Sequence, residues 1–228
     1  MPTEPLTVAV ITGGHSYDVI NFHKFFQSLH GVEAYIQHLD DFATAKQRVR
    51  DSYDVLLFYI MMMDGPTDEG LPGFRGKPRK ALERLGATEQ GIVVLHHGLL
   101  AYPQWSVWHE LVGIPDRTLA GYEHDQTLRV QIADPHHPIT QGLSDWTMVD
   151  ETYDMADAAA DAAADALANN HILLTVDQPH SMHTVAWTRH YQRSRVFCLQ
   201  SGHNNQTWVD PNFKAVLERG LAWSCGRL

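Results

Sequence analysis

Short apolar segments that alternate with helical segments constrain the fold of this chain more than any other feature. Residues 6–12 are rich in β-branched side chains, end in a Gly-Gly turn and precede a helical pattern over 17–29. Strands predicted at 32–38 and 54–59, with a helix at 41–50 between them, continue the alternation. Because strands joined through helices pair in parallel by right-handed crossovers, this half predicts a doubly wound α/β sheet.

The most apolar strand of the chain is predicted at residues 91–95. It follows a loop rich in glycine and proline at 64–76 and a helix near 78–86, and it ends in His96-His97-Gly98. A continuous apolar run of this kind is typical of a strand that is buried on both faces. We therefore expect it at the centre of the sheet, with the two histidines at its carboxyl end.

Strands in the second half follow one another more directly. They are predicted at 127–132, 171–175, 184–187 and 195–199, and a closing helix is predicted at 211–223. Part of the sheet is therefore expected to be antiparallel, while the sheet as a whole is predicted to be mostly parallel. The length of 228 residues favours a single domain, 1–228, and the Ala/Asp-rich segment 155–168 is interpreted as a surface insertion without a function.

Charge and hydropathy exclude several classes of function. The formal net charge of −10 argues against nucleic acid or an anionic membrane surface as a partner. The longest apolar run has nine residues, too few to cross a bilayer, and no basic stretch begins a secretion signal, so we expect a cytoplasmic protein. Two cysteines, Cys198 and Cys225, are too few for a disulfide framework and are expected to be free thiols.

Histidine is the unusual component of the composition, with 15 residues. In an open α/β sheet, ligands bind beyond the carboxyl ends of the strands. His15 follows the first predicted strand and His96 the fourth, so both are expected at this edge. His203 follows the last predicted strand and begins a loop of amide side chains and one tryptophan, a composition typical of a carbohydrate site.

Nine fragments in order along the chain resemble the ThuA-like (trehalose utilisation) family. They are Gly13-Gly14-His15, GIVVLHHG, WSVWHELVG, HPIT with a following Gly-Leu, DETY, VAWTR, RVF, Gly202-His203 and GLAW. The sequence departs from the family at Gln192-Arg193-Ser194, where a Gly-basic-Gly turn is usual, and in the Ala/Asp-rich segment. The resemblance therefore indicates a divergent member.

The resemblance implies a class I glutamine amidotransferase-like fold, a flavodoxin-like three-layer α/β sandwich. It also implies a role in the metabolism of disaccharides or keto-sugars. Amidotransferases of this fold carry a cysteine at the turn after the central strand, where a thiolate is activated. Here that turn is Leu95-His96-His97-Gly98. The sequence therefore argues against glutaminase chemistry.

Residue type and position in the predicted elements indicate a role for each candidate site residue. His96 and Glu151 are the predicted acid and base, and His15 and His203 are predicted to orient the substrate. Only one carboxylate of the Asp150-Glu151 pair can readily face a cleft on an extended segment, and we favour Glu151. Of His96 and His97, one is expected to face the ligand and the other the helix layer. Trp105, Trp187 and Trp208 are the predicted aromatic platform for a sugar ring.

Three interpretations of function stay open at this point. The first is an enzyme that acts on a sugar through His96 and Glu151, and the second is a noncatalytic domain that binds a sugar or a protein partner. The third is an enzyme in which His15, His96 and His203 hold zinc or another divalent metal. Because no dinucleotide or Walker motif is present, a redox step would need a partner dehydrogenase. The sequence leaves open whether the protein is a homo-oligomer.

Overall fold

The structure is a computed structural model that describes residues 4–69, 71–159 and 169–228. Its strands are β1 (Leu6–Gly13), β2 (Val32–His38), β3 (Val55–Ile60), β4 (Gly91–Leu95), β5 (Gly121–Ile132), β6 (Trp146–Asp154), β7 (His171–Val176), β8 (Thr184–Tyr191) and β9 (Ser194–Leu199). Its helices are α1 (Val19–Gln27), α2 (Leu39–Thr44), α3 (Gln47–Arg50), α4 (Pro78–Leu82), α5 (Ser106–Val112), α6 (Asn205–Trp208) and α7 (Pro211–Ser224). A 3₁₀ turn, His96–Leu100, follows β4 directly.

The described strands form one sheet in the order β2-β1-β3-β4-β9-β8-β7-β5-β6. Neighbours from β2 to β9 are parallel, and neighbours from β9 to β6 are antiparallel. The prediction of a mostly parallel sheet was therefore wrong, since the described pairings divide equally between the two kinds. Part of the physical reason is that only seven residues join β7 to β8 and only two join β8 to β9, and connections this short favour antiparallel neighbours.

Helices pack on both faces of the sheet. On one face, phenylalanines of α1 and apolar residues of α7 meet the side chains of β1, β3 and β4. On the other face, α2, α4 and α5 cover the alternate side chains of the same strands. Every residue of β3 and β4 is buried, as expected for strands covered on both faces.

Two elements of the second half depart from the prediction. Strand β5 begins at Gly121, six residues before the predicted start, and β6 was not predicted as a strand. The first residues of β5 are mostly polar and exposed, so they lack the apolar alternation by which strands are recognised. The proposed surface insertion at 155–168 lies mostly outside the described residues, and the assignment of one domain stays a prediction. None of the helices in the described ranges is both long and apolar enough to cross a membrane.

Candidate functional site

A cavity of about 310 Å³ opens at the carboxyl ends of β4 and β9. Its walls combine imidazole, carboxylate and phenol groups with a few apolar side chains: His15, Met61, His96, His97, Leu100, Leu119, Tyr122, His124, Glu151, Tyr153 and His203. This is the edge of an open α/β sheet at which ligands bind. The predicted location of the site therefore coincides with a cavity.

The turn after β4 places two histidines in this cavity. His96 has a φ of 51°, in the left-handed region that few side chains adopt. This reversal ends the alternation of the strand, so His96 and His97 both line the cavity. The expectation that one of them faces the helix layer was wrong for this reason. The next residue of the turn is Gly98. A Cβ at this position would lie 2.6 Å from the carbonyl oxygen of Phe58, so a side chain would not fit without a shift of the backbone.

Three side chains meet at the wall of the cavity. Glu151 Oε2 lies 3.1 Å from His96 Nε2 and 3.3 Å from His203 Nδ1, and the two histidine nitrogens are 3.3 Å apart. The side chains of His96 and Glu151 are at most 7% exposed, and that of His203 is 20% exposed. The three atoms thus form a nearly equilateral triangle that is reached from the cavity. We refer to it as the ligand triangle.

The proton on His96 is placed by its hydrogen bonds. Its Nδ1 lies 2.8 Å from the carbonyl oxygen of Gln200, which can only accept, so Nδ1 carries a proton. In a neutral ring Nε2 then presents a lone pair towards the carboxylate of Glu151. Two acceptors at 3.1 Å repel one another unless a proton or a metal cation lies between them. The Tyr153 hydroxyl, 2.9 Å from Nε2, can donate to this lone pair, and a cation in the ligand triangle would remove the repulsion.

Charges in the ligand triangle support one another. Burial alone would raise the pKa of Glu151, but its contacts with His203 and His96 outweigh burial and lower the pKa below its ordinary value. The hydrogen bond to Glu151 also raises the pKa of His203, against the opposing effect of burial. Glu151 is thus held as a carboxylate, the form that binds a cation.

Strand β6 reaches the triangle through an irregular pairing with β5. Glu123 lies opposite Thr152 and Gln126 lies opposite Asp150, so His124 and Asp125 share the position opposite Glu151. This is a β-bulge, and Asp125 within it has a φ of 55°. Bulges redirect side chains, and here His124 Nδ1 lies 2.9 Å from Glu151 Oε1.

Sequence reasoning missed His124 and Tyr153 as site residues. The Tyr153 hydroxyl oxygen lies 2.9 Å from His96 Nε2, and burial, followed by the charge of Glu151, raises the pKa of this phenol well above its ordinary value. Both residues belong to strand segments that the periodicity did not identify. Tyr153 is close to Glu151 in sequence, and His124 lies in the polar first residues of β5. These signals identify site residues only when the pairing of β5 with β6 is known.

His15 lines the cavity but does not belong to the ligand triangle. Its ring lies 4.7 Å from that of His97, centroid to centroid, at the exposed end of the Gly13-Gly14 turn. Among the described residues, the group that could hold a metal ion is His96, Glu151 and His203. His15 is not a member of this group, in which Glu151 of β6 takes the third place, and metal binding itself stays a prediction.

The three predicted tryptophans do not line the cavity. Trp187 is fully buried, and its indole N–H donates to the carbonyl oxygen of Val112. Trp208 is 3% exposed and packs against the phenylalanines of α1, while Trp105 packs beside Tyr102 at the other core layer. These aromatic rings complete the core, and the exposed aromatic ring at the cavity is Tyr122.

Neither cysteine is placed to act as a nucleophile. Both are free, and Cys198 lies fully buried within β9, where burial raises its pKa to about 12. The turn after β4, where amidotransferases present a thiol, begins with His96 and contains no cysteine. The chemistry of this cavity therefore rests on imidazole, carboxylate and phenol groups.

Comparisons with solved structures give the fold. A ThuA-like protein from Parabacteroides merdae is 18% identical with a TM-score of 0.70, over 97% of this chain and 90% of that one. A cytoplasmic protein from Salmonella typhimurium is 14% identical with a TM-score of 0.66, over 96% and 99% of the two chains. PurLQS from Thermotoga maritima is 12% identical with a TM-score of 0.59, over 97% and 99%. These similarities confirm the amidotransferase-like fold.

Sequence comparison gives the family. No functionally curated protein matches the chain in sequence. The family model for ThuA, described as trehalose utilisation, matches residues 10–224, which is nearly the whole chain. The protein is therefore a member of the ThuA family with a glutamine amidotransferase-like α/β fold.

Proposed function

We propose that this protein is an enzyme of carbohydrate metabolism that acts on a neutral sugar, of the disaccharide or keto-sugar class, with one divalent cation bound in the ligand triangle. The observation that carries the proposal is the triangle itself, with sides of 3.1 to 3.3 Å between His96, Glu151 and His203. Zinc bonds of roughly 2.0–2.1 Å at tetrahedral angles separate neighbouring ligand atoms by roughly 3.3–3.4 Å. The three atoms fit one face of such a coordination sphere.

Surrounding groups also fit a metal centre. A histidine that binds metal commonly donates its other ring N–H to a backbone carbonyl, as His96 Nδ1 does to Gln200. Two imidazoles and one carboxylate are the donor set of a catalytic zinc site, which keeps a further position open towards substrate. When bound, the cation would act as a Lewis acid towards an oxygen of the sugar or of water.

The residues of the chain would position the sugar and move protons. Tyr122 offers an exposed aromatic face at the cavity, suited to one side of a sugar ring. His124 is half exposed and contacts Glu151 Oε1, so it can carry protons between the cavity and solvent. The ring of His97 lines the cavity beside His15, and its Nε2 is buried and unpartnered among the described residues.

The walls of the cavity support a neutral ligand. No lysine or arginine is among its lining residues, and its volume is near the lower end for small-molecule sites. Membership of a family described as trehalose utilisation supports a carbohydrate substrate. We place the reaction in the cytoplasm, next to a partner dehydrogenase where the sugar must be oxidised. Neither nucleic acid nor a membrane is part of the proposal.

A second candidate is supported by the same triangle. A proton instead of a metal cation between His96 and Glu151 makes an acid/base pair, and the hydrogen bonds of Tyr153 and His203 hold that pair without any metal. In this case His96 donates a proton and Glu151 accepts one during sugar chemistry.

Metal titration separates the two candidates. We expect chelator-treated protein to bind one equivalent of zinc, and we expect Glu151→Gln to weaken binding by at least a hundredfold because the only anionic ligand is lost. A screen of mono- and disaccharides and 3-keto sugars with the zinc-loaded and metal-free forms then gives the substrate. Turnover that chelators leave unchanged would favour the metal-free pair, and failure of every sugar to bind would contradict a carbohydrate function.

A further inference from the structure

Strand β6 carries Glu151 but is not a neighbour of the strands that carry the two histidines. In the sheet order, β8, β7 and β5 separate β6 from β9, after which His203 follows, and β4 lies one strand further. The ladder hydrogen bonds therefore do not fix the distance between Glu151 and the two imidazoles. Something other than strand pairing must hold the ligand triangle together.

Apart from the contact between Glu151 and His203, four hydrogen bonds join residues 149–151 of β6 directly to residues 200–207. Gln200 Nε2 donates to the carbonyl oxygen of Glu151 at 2.9 Å, and Thr207 Oγ1 donates to that of Val149 at 3.0 Å. The other two end on Asp150, which accepts from the backbone N–H of Gly202 at 2.8 Å and of His203 at 3.0 Å. We refer to these four bonds as the clasp.

Asp150 is the centre of the clasp. Its side chain is 2% exposed, and its Oδ1 also accepts the backbone N–H of Glu151 at 2.8 Å. Asp150 thus accepts hydrogen bonds from the backbone N–H groups of Glu151 and His203, which are two members of the ligand triangle. It also accepts one from Gly202, which lies between β9 and α6. A buried charge with several N–H donors is a strong and well-directed anchor.

We infer that Asp150 is the positioning residue of the metal site, setting the separation of Glu151 and His203 and through it the affinity for a divalent cation. The inference rests on the proposed function, because it takes the ligand triangle to be a metal site. Asp150 contacts neither metal nor substrate. It acts through the backbone of the residues on either side of the triangle.

Two substitutions at Asp150 remove different numbers of its hydrogen bonds and should lower zinc affinity to different extents. In Asp150→Asn an N–H donor replaces one acceptor oxygen, so one of the backbone N–H groups loses its partner while the other oxygen still accepts. Asp150→Ala removes both oxygens. Since groups around metal ligands typically affect affinity by 10- to 100-fold, we expect zinc affinity to fall by about tenfold in the first variant and about a hundredfold in the second.

Asp54→Asn is the matched control. Asp54 precedes β3 at the opposite edge of the sheet, and its Oδ2 accepts the backbone N–H of Thr7 at 2.8 Å and the Thr7 hydroxyl at 2.9 Å. It is thus also a carboxylate that holds backbone from another strand, but it lies away from the cavity. Its loss should lower stability to urea without changing zinc affinity.

The experiment measures zinc affinity by competition with a chelating indicator, and it records the visible spectrum of the cobalt-loaded proteins. Urea unfolding of the metal-free forms identifies the folded variants. Graded loss of affinity with a shifted cobalt spectrum in the Asp150 variants, and neither in Asp54→Asn, would support the inference. Wild-type affinity and spectrum in folded Asp150→Asn would overturn it and leave the metal site intact, whereas a wild-type protein that binds no zinc would overturn the metal site and this inference together.

Discussion

The five strands from β2 to β9 and the four from β8 to β6 form one sheet, but they build the site in different ways. In the parallel half, β3 and β4 are buried along their whole length, and His96 follows β4 without an intervening loop. In the antiparallel half, the first residues of β5 are mostly exposed and the pairing with β6 contains a bulge. In the parallel half, buried strands position the imidazoles of His96 and His203. In the antiparallel half, Glu151 lies on β6, at the far side of the sheet order, and the clasp holds it near the two histidines.

This difference assigns separate roles to the two halves. Strand β4 is buried on both faces, so core packing sets the position of His96 at its end. Glu151 depends on the clasp and on the bulge, so changes in either should alter the site without unfolding the sheet. Both halves share strands with the core, since Met148 of β6 is a core residue, but in the antiparallel half Glu151 has the clasp as an additional anchor.

The largest effect is expected for His96→Asn in the parallel half. Asparagine tolerates the left-handed backbone at this position, so the turn after β4 should keep its shape. Loss of Nε2 removes a corner of the ligand triangle, and we expect zinc affinity and turnover to fall by about a hundredfold or more. Zinc competition and steady-state kinetics measure the two quantities.

His124→Asn in the antiparallel half is the comparison variant. The His124 side chain is 52% exposed and contacts Glu151 outside the ligand triangle. We therefore expect zinc affinity to change by less than tenfold in this variant. Equal losses in the two variants would show that membership of the ligand triangle does not decide the size of the effect. Unchanged zinc binding and turnover in a folded His96→Asn protein would remove His96 from the site.

The same distinction explains how far sequence reasoning reached. Strands β3 and β4 are continuous apolar runs, so their positions in the chain, and the expectation that His96 lies at the carboxyl edge, could be read from the sequence. Alternation along an extended segment predicts that only one of Asp150 and Glu151 faces the cleft, and the structure places Glu151 in the cavity and Asp150 in the clasp.

Other parts of the site could not be predicted from periodicity. The bulge at His124 depends on the register of two strands, one of which has a polar start and the other of which was not recognised. Trp187 and Trp208 carry the residue type of a sugar platform, but their burial follows from tertiary packing, which composition does not encode. His96 and His97 share one cavity only because of the positive φ at His96.

A smaller effect is expected on the pH dependence of stability through His97. Burial, followed by the neighbouring His96 and His15, lowers the pKa of His97 to about 2 in the folded protein. Below the ordinary pKa of about 6.5 the unfolded chain takes up a proton that folded His97 cannot, so stability falls as the pH is lowered. The loss attributable to His97 should be about 1.4 kcal/mol per pH unit below that value.

Urea unfolding of metal-free wild-type protein and His97→Gln at several pH values between 5 and 7.5 measures this contribution. The free energy of unfolding should fall more steeply with decreasing pH in the wild type than in the variant. If the free energy of unfolding has the same pH dependence in both proteins, His97 is protonated as readily in the folded state as in the unfolded state. The tight packing assigned to the parallel half would then be wrong at His97.

Anomalous diffraction from crystals of the zinc-loaded protein tests most directly the claim that both halves of the sheet supply ligands to one ion. Data collected above and below the zinc absorption edge locate the ion independently of any assumption about its ligands. The expected result is one strong peak within about 2.0–2.3 Å of His96 Nε2, His203 Nδ1 and Glu151 Oε2. A zinc peak bound to the histidines without Glu151, or a peak elsewhere with the ligand triangle closed by its own hydrogen bonds, would contradict the account.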